Sequence, residues 1–133
     1  MLFRSGAATV RAVDVDPDAV AVTRENAERN GLGAHLLADE TAVGALGERY
    51  DTVLANIEAK TLVELAPDLI ARVADGGCLV LSGILSTAAA PAQIEDVKRA
   101  FAALELAGIR QRGEWVAISC TSRAAARGAG VTT

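Results

Sequence analysis

The chain has 133 residues, enough for one domain with a buried core. Its formal net charge of −4 argues against a direct nucleic-acid-binding surface, which requires clustered Lys and Arg. A single histidine and two separated cysteines without a C-x-x-C motif argue against a metal site, and no apolar stretch is long enough for a membrane span. We therefore expect a cytoplasmic monomer in which Cys78 and Cys120 are buried free thiols.

The first third of the chain predicts a strand, a helix and a second strand. Residues 10–15 alternate and are rich in valine, which is typical of a strand. Asp16 is expected to cap the helix that follows, with Pro17 at the first helical position, where a missing N–H costs nothing. The helix is expected to end at Asn30-Gly31. A short strand over residues 35–38 and then a short helix or loop complete this part.

The rest of the chain continues the alternation of strands and helices. DTVLAN (residues 51–56) predicts a strand buried on both faces, and a helical pattern with Pro67 in its middle predicts either a kink or two short helices. Gly76-Gly77 indicates a turn, after which the sequence predicts a strand over residues 78–83, a helix opened by Pro91, and an antiparallel strand pair over residues 109–111 and 114–120. Trp115, the sole tryptophan, is interpreted as a core residue more readily than as a ligand platform.

Alternating strands and helices with short connections predict an α/β fold with a parallel sheet. Ligands of such sheets bind at the carboxyl ends of the strands, where this chain places Asp14, Asp39, Asn56 and Ser82.

Three of these polar residues have a functional interpretation and a plain one. Asp14 could accept both hydroxyls of a ribose, in NAD or in S-adenosylmethionine alike, or it could be a solvated acid beside Asp16. Asp39 could meet an adenine amino group or occupy an ordinary turn. Asn56 could orient an amine through its side-chain oxygen or cap the following helix.

The order of the motifs carries a resemblance. Five motifs follow one another between about Gly6 and Cys120: GA-x-x-V-x-A-V-D-V-D-P-x-A-V, T-x-x-N-A-x-x-N-G, YDTVLANI, GGCLVLSGIL and GEWVAI. Together they resemble the catalytic domain of bacterial PrmA-type enzymes, which methylate large-subunit ribosomal protein eleven with S-adenosylmethionine. The resemblance implies a Rossmann-like class I methyltransferase sheet, a ribosomal protein as partner, and S-adenosylmethionine as cofactor.

The resemblance also implies roles for individual residues. Asp14 and Asp39 would bind the cofactor through its ribose and adenine. Asn56, also at the cofactor, and the Ile57 backbone would lie where the substrate amine meets the methyl group, and Ser82 to Leu85 would border the substrate. Glu58 departs from the family, which usually has an apolar residue there.

The family's first strand and its D-x-G-x-G-x-G loop are missing from the 133 residues. We therefore expect residues 1–5 to be foreign to the domain, residues 6–121 to form a partial catalytic domain, and residues 122–133 to form a disordered tail. The family's strand order, 3-2-1-4-5-7-6, would lose its central strand. Either the strand at residues 10–15 then pairs with DTVLAN, or two blocks of strands keep open edges. Such a fragment is expected to be inactive alone.

Other functions are kept open by the residues themselves. An NAD-dependent dehydrogenase fragment would use Asp14 equally well. Methyltransferases of glutamine or nucleic acids typically carry N-P-P-[YF] where this chain has Asn56-Ile57-Glu58-Ala59. A non-catalytic interaction module is the alternative from a different functional class.

Overall fold

The computed structural model describes residues 9–87 and 92–123. The chain divides into two units, residues 1–46 and residues 47–133. Residues 1–5, Pro91 and residues 124–133 of the expected tail lie outside the described residues. The described helices include none that is long and apolar enough to cross a membrane.

The first unit is a βαβ arrangement. Its parallel strands β1 (Val10–Val13) and β2 (Leu36–Asp39) are connected by helix α1 (Pro17–Arg29). The Asp16 side chain caps α1 by accepting the Asp18 N–H at 2.9 Å, and Gly31 follows the helix at φ 68°, so both predicted helix signals are confirmed. A 3-10 turn at Val43–Ala45 occupies the segment where a short helix or loop was expected.

The second unit is a four-stranded sheet with two helices. The strand order is β3-β4-β6-β5, with β3 parallel to β4 and the other pairs antiparallel. The elements in chain order are β3 (Tyr50–Asn56), α2 (Ala59–Ala71), β4 (Val73–Leu85), α3 (Gln93–Ala100), β5 (Glu105–Arg112) and β6 (Trp115–Thr121). The largest fully buried side chains come from both helices and the central strands: Leu62, Val73, Leu79, Leu81, Ile84, Val97, Val116 and Ile118.

Within each sheet, the strand order agrees with part of the expected order. β2-β1 corresponds to the 3-2 part of that order, and β3-β4-β6-β5 corresponds to the 4-5-7-6 part. β1 is hydrogen-bonded to β2 and not to β3, so the expectation that it might pair with DTVLAN is wrong. Within residues 9–87 and 92–123, β1 and β2 each keep one unpaired edge, and so does β3.

Burial of β3 differs from the prediction. We expected both faces to be buried, but Leu54 is 54% exposed while the adjacent Ala55 is buried. Successive side chains of a strand point to opposite faces, so only one face of β3 is covered. The strand lies at the edge of its sheet, where a continuous apolar run does not guarantee two covered faces.

Proline and glycine were also less disruptive than predicted. α2 runs without a break through Pro67, so the alternative of two short helices is wrong. The proline removes the N–H that would bond the Val63 carbonyl, but both residues are exposed and water can replace that bond. Gly76-Gly77 does not separate two elements; both glycines lie within β4, inside a register shift relative to β3.

The two cysteines differ in their surroundings. Cys120 is buried, as predicted, and burial raises the pKa of its thiol. Cys78 is only half-buried, so the prediction that it is buried is wrong. It is the register partner of the exposed Thr52 of β3, and paired residues lie on the same face of a sheet.

Candidate functional site

Asp14 and Asp39 lie at the same end of the first sheet. The Asp14 N–H donates to the Asp39 carbonyl oxygen at 3.2 Å, immediately beyond the paired residues Val13 and Asp39. One carboxylate oxygen of Asp14, Oδ1, accepts the Asp16 N–H at 2.9 Å. The side chain is exposed, and the second oxygen has no hydrogen-bond partner in the described part of the chain. Asp14 can therefore accept hydrogen bonds from a polyol such as a ribose.

Asp39 already has partners on both carboxylate oxygens. Oδ1 accepts the Thr41 N–H at 3.0 Å, and Oδ2 pairs with Arg11 Nη2 at 2.7 Å. Hydrogen bonds from Thr41, assisted by the Arg11 guanidinium, hold the pKa of Asp39 below its ordinary value. Asp39 thus occupies an ordinary turn, because its carboxylate accepts the N–H of Thr41, two residues later in the chain. A carboxylate has about four acceptor positions, so an adenine amino group could still be accepted.

Asn56 is the last residue of β3 and lies beside Ser82 of β4, its register partner. The helix-cap interpretation is wrong, because the N-cap of α2 is Glu58 and no side chain bonds the first turn from that position. Glu58 instead accepts the Thr61 hydroxyl at 3.3 Å. Among residues 9–87 and 92–123, the Asn56 amide has no hydrogen-bond partner and is exposed. An amide at this place is free to bind a ligand.

Gly83 determines how closely β4 approaches Asn56. Its φ is +83°, a left-handed conformation that side chains disfavour. A Cβ atom there would lie 2.7 Å from the Ile57 carbonyl oxygen and 3.0 Å from Asn56 Oδ1. Leu81 and Ile84 flank a register shift at the same point. Glycine inside a strand pattern is the sequence signal available for such a close approach.

A cleft of about 830 Å³ opens beside Asn56. It is lined by Asn56, Ser82 and Gly83 together with residues 110–112 of β5 and 115–117 of β6. Trp115 is 57% exposed there, so its interpretation as a core residue is wrong. The tryptophan lies on the face of β6 opposite to the buried Val116.

The structure thus groups the predicted residues in two sets. Asp14 and Asp39 share the end of the first sheet, whereas Asn56, Ile57 and Ser82 belong to the second unit. Sequence reasoning did not identify the arginines of β5, although R-Q-R alternation before the GEW motif places two cations on one strand face.

Comparison with known families gives a match over almost the whole chain. The family described as ribosomal protein L11 methyltransferase (PrmA) matches residues 2–123. Ribosomal protein L11 methyltransferase of Pelobacter propionicus is 49% identical over 118 residues, which are 86% of this chain and 36% of that protein. The enzyme of Geobacter sp. strain M21 is 44% identical over 114 residues, with the same shares. The chain therefore spans about a third of the length of the curated relatives it matches.

Solved structures show the same fold at lower identity. The ribosomal protein L11 methylase of Lactobacillus delbrueckii subsp. bulgaricus superposes with a TM-score of 0.81 at 23% identity, covering 91% of this chain and 62% of that one. The N-methyltransferase NodS of Bradyrhizobium japonicum WM9, in complex with S-adenosyl-L-homocysteine, gives a TM-score of 0.66 at 18% identity, covering 86% and 66%. The fold is that of class I methyltransferases.

Proposed function

Because this chain belongs to the ribosomal protein L11 methyltransferase (PrmA) family, we propose that it forms the acceptor-binding part of a protein N-methyltransferase acting on ribosomal protein L11. The observation that carries the proposal is the Asn56 amide, exposed beside a cleft and without a partner in the described residues. The family match favours methyl transfer over the NAD-dependent dehydrogenase that Asp14 alone left open.

Asp14 and Asp39 are proposed to hold the cofactor, S-adenosylmethionine. The free carboxylate oxygen of Asp14 suits a ribose hydroxyl, and an ionised Asp39 suits an adenine amino group. When bound, S-adenosylmethionine supplies a methyl group from its positively charged sulfur, and the methyl group moves to a nucleophile by in-line displacement. The S-adenosyl-L-homocysteine in the NodS complex supports a cofactor of this class for the shared fold.

Asn56 and Ile57 are proposed to position the acceptor amine. A lysine ammonium, with a reference pKa of about 10.4, must lose a proton before its lone pair can attack. Asn56 Oδ1 can then accept a hydrogen bond from the neutral amine, and the Ile57 carbonyl offers a second acceptor close by. Two acceptors fix the direction of the lone pair, and positioning supplies most of the rate in such a displacement. The Asn56 amide carries no net charge, so it stabilises the ammonium form less than a carboxylate would.

Replacing Asn56 tests this role in a full-length enzyme that carries the chain. We expect Asn56→Ala to lower kcat by about 10²-fold, the typical loss when one positioning hydrogen bond is removed. Methyl transfer to ribosomal protein L11 is measured with isotopically labelled S-adenosylmethionine. Asn26→Ala, at an exposed position of α1, is the matched control and should keep wild-type activity.

Asn56→Asp distinguishes a loss of activity caused by changed positioning of the amine from a loss caused by misfolding. The introduced carboxylate would favour the ammonium form, so the rising limb of the pH profile of kcat should move to higher pH. Unchanged activity in both Asn56 variants would refute the role of Asn56. A wild-type enzyme that binds ribosomal protein L11 without methylating it would refute the function and favour the interaction module.

A further inference from the structure

The part of the cleft formed by β5 and β6 carries two cations and an indole on one face. Arg112 is the register partner of Trp115, and Arg110 is the register partner of Ala117. Paired residues of neighbouring strands point to the same face, so both guanidinium groups and the indole project from one side of the hairpin. All three residues line the cleft beside Asn56.

The charge of this cleft is opposite to that of the chain. The sequence has 17 acidic against 13 basic side chains, yet no Asp or Glu is among the residues that line the cleft. Arg110 and Arg112 are exposed, and neither has an ion pair or side-chain hydrogen bond in residues 9–87 and 92–123. Other exposed arginines do have carboxylate partners, such as Arg29 with Glu25 and Arg99 with Asp96. Two cations without an internal partner leave this face electropositive and free to bind an anion.

We propose that Arg110, Arg112 and Trp115 form a recognition surface for the acceptor protein, and that they bind a segment with a carboxylate and an apolar side chain near the methylated amine. A guanidinium matches a carboxylate with two parallel hydrogen bonds. An exposed indole offers a large rigid apolar surface, and Trp and Arg dominate the energetics of protein interfaces. A phosphate backbone is a poorer fit, because polyanion binding needs many cations and the chain is net negative. This inference rests on the proposed function, since it assigns the substrate specificity of the same cleft.

The first test measures methyl transfer to ribosomal protein L11 by the full-length enzyme. For the double variant Arg110→Gln, Arg112→Gln we expect KM to rise about fivefold to tenfold, the loss of one or two exposed ion pairs. The kcat should stay within about twofold, and the increase of KM with NaCl should become shallower than in the wild type. Arg99→Gln on α3, outside the cleft, is the matched control. An unchanged KM and salt dependence in the double variant would overturn the proposal.

The second test needs no catalysis and uses the 133-residue chain. Trp115 is the only tryptophan, so its fluorescence reports directly on the cleft. Two short synthetic peptides without tryptophan are titrated, one with Lys flanked by Glu and Phe, the other with Gln replacing Glu. We expect the Glu peptide to shift the emission at several-fold lower concentration, and this preference to vanish in the double arginine variant.

The outcomes of the two tests distinguish the two proposals. Equal titration by both peptides, or tighter binding of a short RNA than of the Glu peptide, would show that the recognition proposal is wrong. Failure of the wild-type enzyme to transfer methyl groups, with the peptide preference intact, would refute the proposed function and leave the recognition surface standing.

Discussion

Asp39 links the stability of the first unit to pH through its bonds with Thr41 and Arg11. These partners lower the pKa of the carboxyl in the folded chain below the value of about 3.9 for an unfolded one. The stabilisation is therefore fully present above that value and is lost as pH falls through the lower, folded pKa. Urea titrations that follow the amide resonances of β1 and β2 should show this loss between mildly and strongly acidic pH.

Asp39→Asn should remove most of that pH dependence, because the amide does not ionise and pairs less strongly with Arg11. Glu40→Gln, at the exposed neighbouring position, should keep it. An identical acid profile for wild type and Asp39→Asn would contradict the assignment.

The position of a side chain could be predicted from the sequence where the neighbours that fix it are close in the chain, and not where they are distant. Asp16 could be predicted as a cap because its partner, the Asp18 N–H, is two residues away. Trp115 could not be placed, since only the pairing of β6 with β4 and β5 decides which face Val116 and the indole take. The absence of a cap bond from Asn56 likewise depends on α2 beginning at Ala59 with Glu58 before it.

Gly83 is the position at which the need for a glycine in β4 can be tested most directly. Gly83→Ala forces an L side chain to φ +83° and into the Ile57 carbonyl oxygen. We expect a loss of about 1–3 kcal/mol in the free energy of unfolding, measured in urea, and chemical-shift changes at Asn56 and Ile57.

Gly108→Ala in β5 is the matched control for Gly83, because a Cβ there meets no atom within 4 Å. It should be neutral, or stabilising by about 0.5 kcal/mol through reduced freedom of the unfolded chain. Equal effects of the two substitutions would show that β4 does not need a glycine at residue 83.

The elements were predictable where periodicity and caps agree. α1 begins at Pro17 and ends at Arg29 because its cap, proline and stop residues are all local. All six described strands differ from their predicted bounds at one or both ends, because strand bounds depend on the partner strand. Pro67 and Gly77 have local signals for a break, but α2 and β4 continue through them. At Gly77 the backbone carbonyl oxygens of Asp51 and Ala74, each 2.9 Å from where a Cβ would lie, leave no room for a side chain.

The chain alone is expected to bind S-adenosylmethionine weakly. Its 133 residues contain Asp14 but no D-x-G-x-G-x-G loop. A hydrogen bond to a charged group contributes about 1.5–3 kcal/mol, whereas association costs on the order of 4–15 kcal/mol. Isothermal titration calorimetry of the chain should detect no binding tighter than millimolar, for the wild type and for Asp14→Ala alike. Micromolar affinity, lost in Asp14→Ala, would contradict this expectation.

The division of the strands into two sheets has a consequence for cooperativity. In the described residues, no hydrogen-bonded ladder joins the β1–β2 pair to the four-stranded sheet. A two-stranded sheet is marginally stable by itself, whereas the four strands around Leu79 and Ile118 share a buried core. Amide protons of β1 and β2 should therefore exchange with solvent through a lower-energy opening than those of β4 and β6, so that the chain behaves as two foldons with separate unfolding transitions.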